Sequence, residues 1–202
     1  MIKPFAVLAL GLALATAAAG ATVDVAVADG AGKPLADAVV MLEPTAARLP
    51  VKPLAGVQIT QVRRQFDPQV TVIPVGTAVA FPNLDTVRHH VYSFSGAKNF
   101  ELKLYAGVPA APVVFDKAGI AILGCNIHDQ MVAWVVVVDT PFYARSSALG
   151  RASLPGVPAG AYRLKVWHST LADASTPSST LLSVGSADVE EQATLRTEAR
   201  RP

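Results

Sequence analysis

The chain has 202 residues, enough for one large or two small domains with a real hydrophobic core. Its charges nearly cancel, because 17 Lys and Arg face 15 Asp and Glu, for a formal net charge of +2. So small a net charge gives no general attraction to nucleic acid or to an anionic membrane surface. Neither is therefore expected as a partner.

The N-terminus predicts a signal peptide over residues 1–21. Lys3 supplies a short basic start, residues 5–19 form an uncharged apolar run, and residues 17–19 or 19–21 offer an A-x-A cleavage site. The alternative is a retained membrane anchor, but the apolar run is shorter than the roughly 20 residues of a spanning helix. We expect export to the periplasm and no membrane span in the mature form.

Beyond the leader, short β-branched runs alternate with Gly, Pro and Asn/Asp turns, and no segment has a helical period, which predicts an all-β chain. Residues 132–139 include a nearly continuous apolar run that favours a strand buried on both faces. Residues 154–160 are predicted to be turn-rich. The predicted strands lie at residues 22–28, 38–42, 57–62, 69–75, 77–82, 91–95, 100–105, 113–115, 120–123, 132–139, 161–168, 180–184 and 190–195.

Composition shifts divide the chain into a middle domain and two flanks. We predict that residues 22–54 and 143–197 pair into one small β-sandwich, with residues 55–142 inserted between them and residues 198–202 as a tail. The sequence also allows a separate N-terminal hairpin that leans on the middle domain.

The chain has one cysteine, Cys125, and so cannot form an internal disulfide. A lone thiol is unusual in an exported protein, so we expect Cys125 to be buried, bound or used. His128 and Met131 lie in the same short loop, between two apolar runs. Thiolate and imidazole are strong donors for copper, and a thioether is a weak, soft one. Zinc also accepts Cys and His, but the methionine favours copper.

A further ligand is expected from the segment that ends in His89 and His90. Neighbours in an extended strand point to opposite sides, so only one of the two histidines should face the metal. The pattern alone leaves open which one.

The motifs of the middle domain resemble the cupredoxin family of blue-copper proteins. Residues 79–85, followed by His-x-Val, are similar to the strand that leads into the first histidine ligand, and residues 115–119 and 131–137 are similar to the end of the domain. The Cys-x2-His-x2-Met spacing is the compact version found in amicyanin. The resemblance implies a Greek-key β-sandwich over residues 55–142.

The same resemblance implies one type 1 copper ion with His89, Cys125, His128 and Met131 as ligands. His90 then stands where many cupredoxins have an asparagine that ties the two ligand loops together, which leaves His90 as the alternative ligand. By family analogy, the ring edge of His128 reaches the surface through an apolar patch, with candidates at Ile127, Pro82, Val108 and Pro109.

The flanks resemble a carboxypeptidase regulatory-like sandwich, in residues 23–29, 32–40 and 155–168. Bacterial proteins that combine this sandwich with a cupredoxin domain are often called methylamine utilisation proteins, and the chain resembles them. His168 lies in this region, where we expect a surface or strand-packing role.

These observations predict a one-electron carrier rather than an enzyme, with a redox partner such as a c-type cytochrome or a periplasmic dehydrogenase. The main alternative is a periplasmic copper storage or delivery protein with no redox partner, since it would use the same ligands. Two other possibilities are an enzyme with Cys125 as nucleophile and His128 as base, and a structural sandwich with a vacant site.

Overall fold

The computed structural model describes residues 20–109 and 111–198, and in these ranges every regular element is a β-strand. The predicted leader therefore lies almost wholly outside the described residues. The strands are β1 Ala21–Asp29, β2 Val39–Pro44, β3 Val57–Gln58, β4 Thr60–Val62, β5 Gln65–Asp67, β6 Val70–Pro74, β7 Thr77–Ala80, β8 His89–Phe94, β9 Asn99–Tyr105, β10 Val113–Phe115, β11 Gly119–Gly124, β12 Val132–Val138, β13 Phe142–Arg145, β14 Arg151–Val157, β15 Gly160–Trp167, β16 Ser178–Val184 and β17 Val189–Leu195. Within these ranges no helix is long and apolar enough to cross a membrane.

The two flanks of the chain form a sandwich of two sheets, in the orders β14-β1-β17 and β13-β2-β15-β16. Strand β1 alternates buried valines with half-buried residues, as a strand with one covered face should. Its valines pack against Leu42 of β2 and Leu164 of β15 in a shared core. Because β1 and β2 lie in different sheets, they do not form the separate N-terminal hairpin that the sequence also allowed.

The middle of the chain forms a second sandwich, with sheets in the orders β6-β12-β11-β8-β9 and β10-β7-β3. A small hairpin, β4-β5, lies beside them and places Phe66 in the same core. This core contains Phe81, Phe115 and Cys125. The predicted fold class, all-β with one sandwich from the middle of the chain and a second from its flanks, is confirmed.

The two sandwiches contact each other through strand β12. One face of β12 packs into the middle core, and the other, with Trp134 and Val136, packs against Met41 of β2 and Trp167 of β15. The ring centroids of Trp134 and Trp167 are 6.3 Å apart. The apolar run in this strand is therefore buried on both faces, as predicted, because a sheet covers each side.

The structure corrects two local predictions. Residues 154–157, expected in a turn-rich stretch, belong to β14, and the register between β1 and β14 shifts at this point. Pro155 and Gly156 fall at that irregularity, where a missing amide hydrogen and a positive φ are tolerated in a strand. The run at residues 57–62, expected to be one strand, is divided between β3 and β4, which pair with different partners.

Candidate metal centre

Two segments that are distant in sequence meet at one end of the middle sandwich. Strand β8 begins at His89, and the loop of residues 125–131 joins β11 to β12. Gly124 pairs with Tyr92 of β8, and a β-carbon added at Gly124 would lie 2.7 Å from the Tyr92 ring. A larger residue at this position would therefore require the Tyr92 ring to move.

His89, Cys125 and His128 form a compact group of potential ligands. The Sγ atom of Cys125 lies 3.9 Å from Nδ1 of His89 and 4.0 Å from Nδ1 of His128. One donor atom from each residue lies within 4.8 Å of the other two. His89 and Cys125 are buried, and His128 is half-buried.

These separations fit a bound transition metal. A metal bonded at about 2.3 Å to sulfur and about 2.0 Å to nitrogen, with about 120° between the bonds, would hold the two donors about 3.7 Å apart. The observed sulfur–nitrogen separations are within a few tenths of an ångström of that value. Two imidazoles and one thiolate form a donor set that copper favours.

Met131 closes the ligand loop. Its backbone N–H donates to the carbonyl of His128 at 2.9 Å, which holds the last four residues of the loop in a tight turn. The Met131 side chain is 1% exposed and belongs to the same buried cluster as Cys125. Its role as a weak ligand stays a prediction.

His90 points away from this group. Its Nε2 lies 2.9 Å from Oε1 of Glu101 in β9, and its ring packs against Tyr92 at a centroid distance of 5.4 Å. The distance between His90 and Glu101 is short enough for an ion pair, but their relative orientation does not meet the geometry of a hydrogen bond. The structure therefore brings His89, and not His90, to Cys125.

Asp85 holds the far side of the His89 ring, a contact that the sequence analysis did not predict. Its Oδ2 lies 2.7 Å from Nε2 of His89. A proton on Nε2 that is donated to this carboxylate leaves Nδ1 as a free lone pair directed toward Cys125. The signal in the sequence was a carboxylate four residues before the candidate histidine.

Several hydrogen bonds lower the pKa of Asp85. Burial raises the pKa, but it is outweighed by hydrogen bonds from the backbone N–H groups of Arg64 and Arg63 and from His89. The pKa of Asp85 therefore lies below its ordinary value, and the residue is a carboxylate at neutral pH.

A buried polar network supports the same end of the sandwich. The Tyr105 hydroxyl donates to the carbonyl of Phe81 at 2.6 Å, and the Gln61 side-chain amide donates to that carbonyl and to Tyr105. Burial raises the pKa of Tyr105 to about 12, and the negative charge of a Cys125 thiolate acts in the same direction. Asn83 donates to the Tyr105 carbonyl at 2.9 Å and so fixes the loop that leads into β8.

The residues predicted for an apolar patch differ in their exposure. Ile127 and Val108 are exposed, but Pro82 is buried and so is not available to a partner. The Pro82 carbonyl accepts a hydrogen bond from the backbone N–H of Gln61 at 2.9 Å. Leu84, which precedes Asp85 in the chain, is 66% exposed.

His168 of the flanking sandwich lies outside the group of His89, Cys125 and His128. Its Nδ1 is 2.7 Å from the Thr170 hydroxyl, and its Nε2 is 3.1 Å from the Ala36 carbonyl. Both ring nitrogens are therefore engaged in hydrogen bonds within the flanking sandwich.

No protein-family model matches the chain, and no curated protein matches it. Among solved structures, a copper-containing nitrite reductase from Thermus scotoductus is 26% identical over 48% of this chain, with a TM-score of 0.39; the chain spans only 25% of that protein. A purple cupredoxin from Nitrosopumilus maritimus is 26% identical over 41% of this chain and 99% of its own, with a TM-score of 0.36. A variant of amicyanin in its reduced Cu(I) form is 18% identical over 49% of this chain and 98% of its own, with a TM-score of 0.39.

The nitrite reductase and the amicyanin contain copper, the third protein is a cupredoxin, and each alignment covers at most about half of the chain. Because all three TM-scores are below 0.5, the fold class follows from the chain's own strands. It is an all-β protein of two sandwiches, one of which carries a His–Cys–His group, with His89 and Cys125 buried and His128 half-buried, that is compatible with a type 1 copper site.

Proposed function

We propose that the protein is an exported one-electron carrier that works through one type 1 copper ion. The ligands would be His89, Cys125, His128 and Met131. The observation that carries the proposal is the placement of Cys125 Sγ at 3.9 and 4.0 Å from the two imidazole nitrogens. Cys125 would then serve as a metal ligand, whereas a cysteine that is merely buried would be chemically inert.

Bound copper would supply reversible exchange of one electron between Cu(II) and Cu(I). The protein's own residues would limit how far the ligands move during that exchange. His89 lies in a strand and is held by Asp85, and Cys125 starts a loop anchored by the pairing of Gly124 with Tyr92. Burial of His89 and Cys125 keeps water away from both donor atoms.

The half-buried His128 is the proposed exit for the electron. It is the most exposed member of the group, and the exposed Ile127 precedes it in the loop. Such partners dock weakly over small interfaces, often below about 1,200 Å². We propose a c-type cytochrome or a periplasmic dehydrogenase as the partner, with no substrate turnover by the chain itself.

The proposed location is the periplasm. The support is the order of a basic start, an apolar run and small residues at the N-terminus, together with a single cysteine that a metal would protect from oxidation. The resemblance to methylamine utilisation proteins supports the same location.

Visible absorption and EPR spectra of the purified protein, recorded after addition of one equivalent of Cu(II), test the metal site. We expect an intense visible band from thiolate-to-copper charge transfer and an EPR spectrum with narrow copper hyperfine splitting. Weak bands typical of ordinary Cu(II) would mean that Cys125 does not bind the metal as proposed.

A second measurement separates electron transfer from copper storage or delivery. A carrier should be reduced rapidly and reversibly by a c-type cytochrome and should keep Cu(I) in the presence of a chelator. Ready loss of Cu(I) to the chelator, with no exchange of electrons, would favour storage or delivery.

A further inference from the structure

The hairpin β4-β5 turns through two arginines in an unusual conformation. Arg63 and Arg64 have φ angles of 53° and 56°, so both lie in the left-handed region. Two-residue hairpin turns of this kind favour Asn-Gly, because a side chain with a β-carbon is strained at positive φ. Strained backbone that persists is often held by contacts with a functional site.

The turn directs two successive backbone N–H groups at one carboxylate. The N–H of Arg63 donates to Oδ1 of Asp85 at 2.6 Å, and the N–H of Arg64 donates to Oδ2 at 2.8 Å. Consecutive N–H groups in such a turn form a concave site for an anion. Both arginine side chains are exposed, so their backbones rather than their charges make this contact.

The same carboxylate holds His89. Oδ2 of Asp85 lies 2.7 Å from Nε2 of His89. The backbone N–H of Asp85 donates to Oδ1 of Asn83 at 3.0 Å. The hairpin itself is anchored in the middle core by Phe66, which is 4% exposed. A continuous chain of contacts therefore runs from the core through the turn and Asp85 to His89.

We propose that the Arg63–Arg64 turn and Asp85 form a positioning unit that fixes the ring orientation and tautomer of His89, so that Nδ1 is presented to Cys125. As far as it concerns copper, this inference rests on the proposed function. As far as it concerns the His89 ring, it holds for the metal-free protein too. The backbone of the turn acts on the metal site only through Asp85, and the exposed arginine side chains take no part in it.

The test compares three variants with the wild type. D85A removes the carboxylate, and D85N keeps its volume but leaves one acceptor oxygen instead of two. The double variant R63N/R64G keeps both backbone donors, removes both charges and suits the left-handed turn better. D116A is the matched control, because Asp116 is also a hydrogen-bonded carboxylate but pairs with Lys98 at 2.8 Å.

The first readout is the ¹⁵N NMR spectrum of the His89 ring in the metal-free protein. We expect a single tautomer with the proton on Nε2 in the wild type, D116A and R63N/R64G, and a mixture of tautomers in D85A. The second readout is copper affinity by chelator competition, where D85A should lose about 10- to 100-fold. R63N/R64G should bind copper as the wild type does.

An unchanged tautomer and an unchanged affinity in D85A would overturn the inference. So would loss of the tautomer in R63N/R64G, since it would show that the arginine side chains and not the backbone act on Asp85. If D85A fails to fold, D85N decides by the same two readouts. If the wild type takes up no copper, the proposed function fails, and the NMR readout still decides whether Asp85 positions His89.

Discussion

His89 and His90 are neighbours in strand β8 and face opposite sides of it. Nδ1 of His89 lies 3.9 Å from the Cys125 sulfur, and Nε2 of His90 lies 2.9 Å from a carboxylate oxygen of Glu101. The alternation of side chains along a strand imposes this division. Two residues of the same type therefore have different chemical roles one position apart.

This division predicts different effects of replacing the two histidines. H89A should abolish the intense visible band after addition of Cu(II), because one of the two imidazole donors is lost. H90Q should retain the band, since His90 faces Glu101. Absorption spectra of both variants check this. A colourless H90Q together with a coloured H89A would reverse the ligand assignment.

Replacement of Cys125 by alanine should remove the colour and leave the fold. The C125A variant loses the thiolate on which the charge-transfer band depends. The substitution deletes one buried atom, so the metal-free protein should lose only about 1–2 kcal/mol of unfolding free energy. Visible spectra and urea unfolding measure the two effects, and a C125A protein that stays intensely coloured would disprove the assignment of Cys125.

Met131 should tune the site without being required for its colour. M131L conserves volume in a position that is 1% exposed, so the stability loss should stay below about 1.5 kcal/mol. We expect the intense band to persist and the reduction potential to rise, because loss of the axial ligand destabilises Cu(II), which prefers a higher coordination number than Cu(I). Voltammetry of wild type and M131L checks the direction, and an unchanged potential would mean that Met131 is core packing only.

The contact between the sandwiches should contribute strongly to stability. Trp167 is fully buried against Trp134 and β12, so W167A should lower the free energy of unfolding by about 3–5 kcal/mol. L181A, at a leucine that is 69% exposed on neighbouring β16, should change it by less than about 0.5 kcal/mol. Denaturant unfolding of both variants provides the comparison. Equal effects would mean that the contact contributes little.

Tyr105 should make the protein less stable at alkaline pH. Its pKa in the folded protein is about 12, against an ordinary value of 10.0, so folding favours the protonated phenol. The stabilisation is complete below pH 10 and is lost as the pH rises from 10 to 12. Y105F should be less stable at neutral pH, because the hydrogen bond to Phe81 is lost, but its stability should fall less steeply between pH 10 and 12. An identical slope in the two proteins would contradict this.

The ligand loop and the all-β class were predictable from local sequence. Cys125, His128 and Met131 lie within seven residues, so any fold that makes residues 124–131 a loop brings them near one another. Strand patterns likewise follow from the period of buried and exposed residues along a few neighbouring positions.

The contacts of Asp85 with the Arg63–Arg64 turn were not predictable in this way. Asp85 meets Arg63 and Arg64 across more than twenty residues of sequence, through backbone atoms that carry no residue-type signal. The hairpin that brings them together turns at two arginines rather than at Asn-Gly, so it lacked the usual turn signal.

The sequence by itself determined the types of metal-donor side chain, the all-β fold class and the placement of His89 and His90 on opposite faces of a strand. Each of these depends on residues that are close along the chain. Only the tertiary structure decided that His89 faces Cys125, that Asp85 holds the other side of its ring, and that the two sandwiches pack through Trp134 and Trp167. These relationships join segments far apart in the chain. They are set by the register between strands and by which apolar faces cover one another. A one-residue shift in the register of a strand would turn each of its side chains to the opposite face of the sheet.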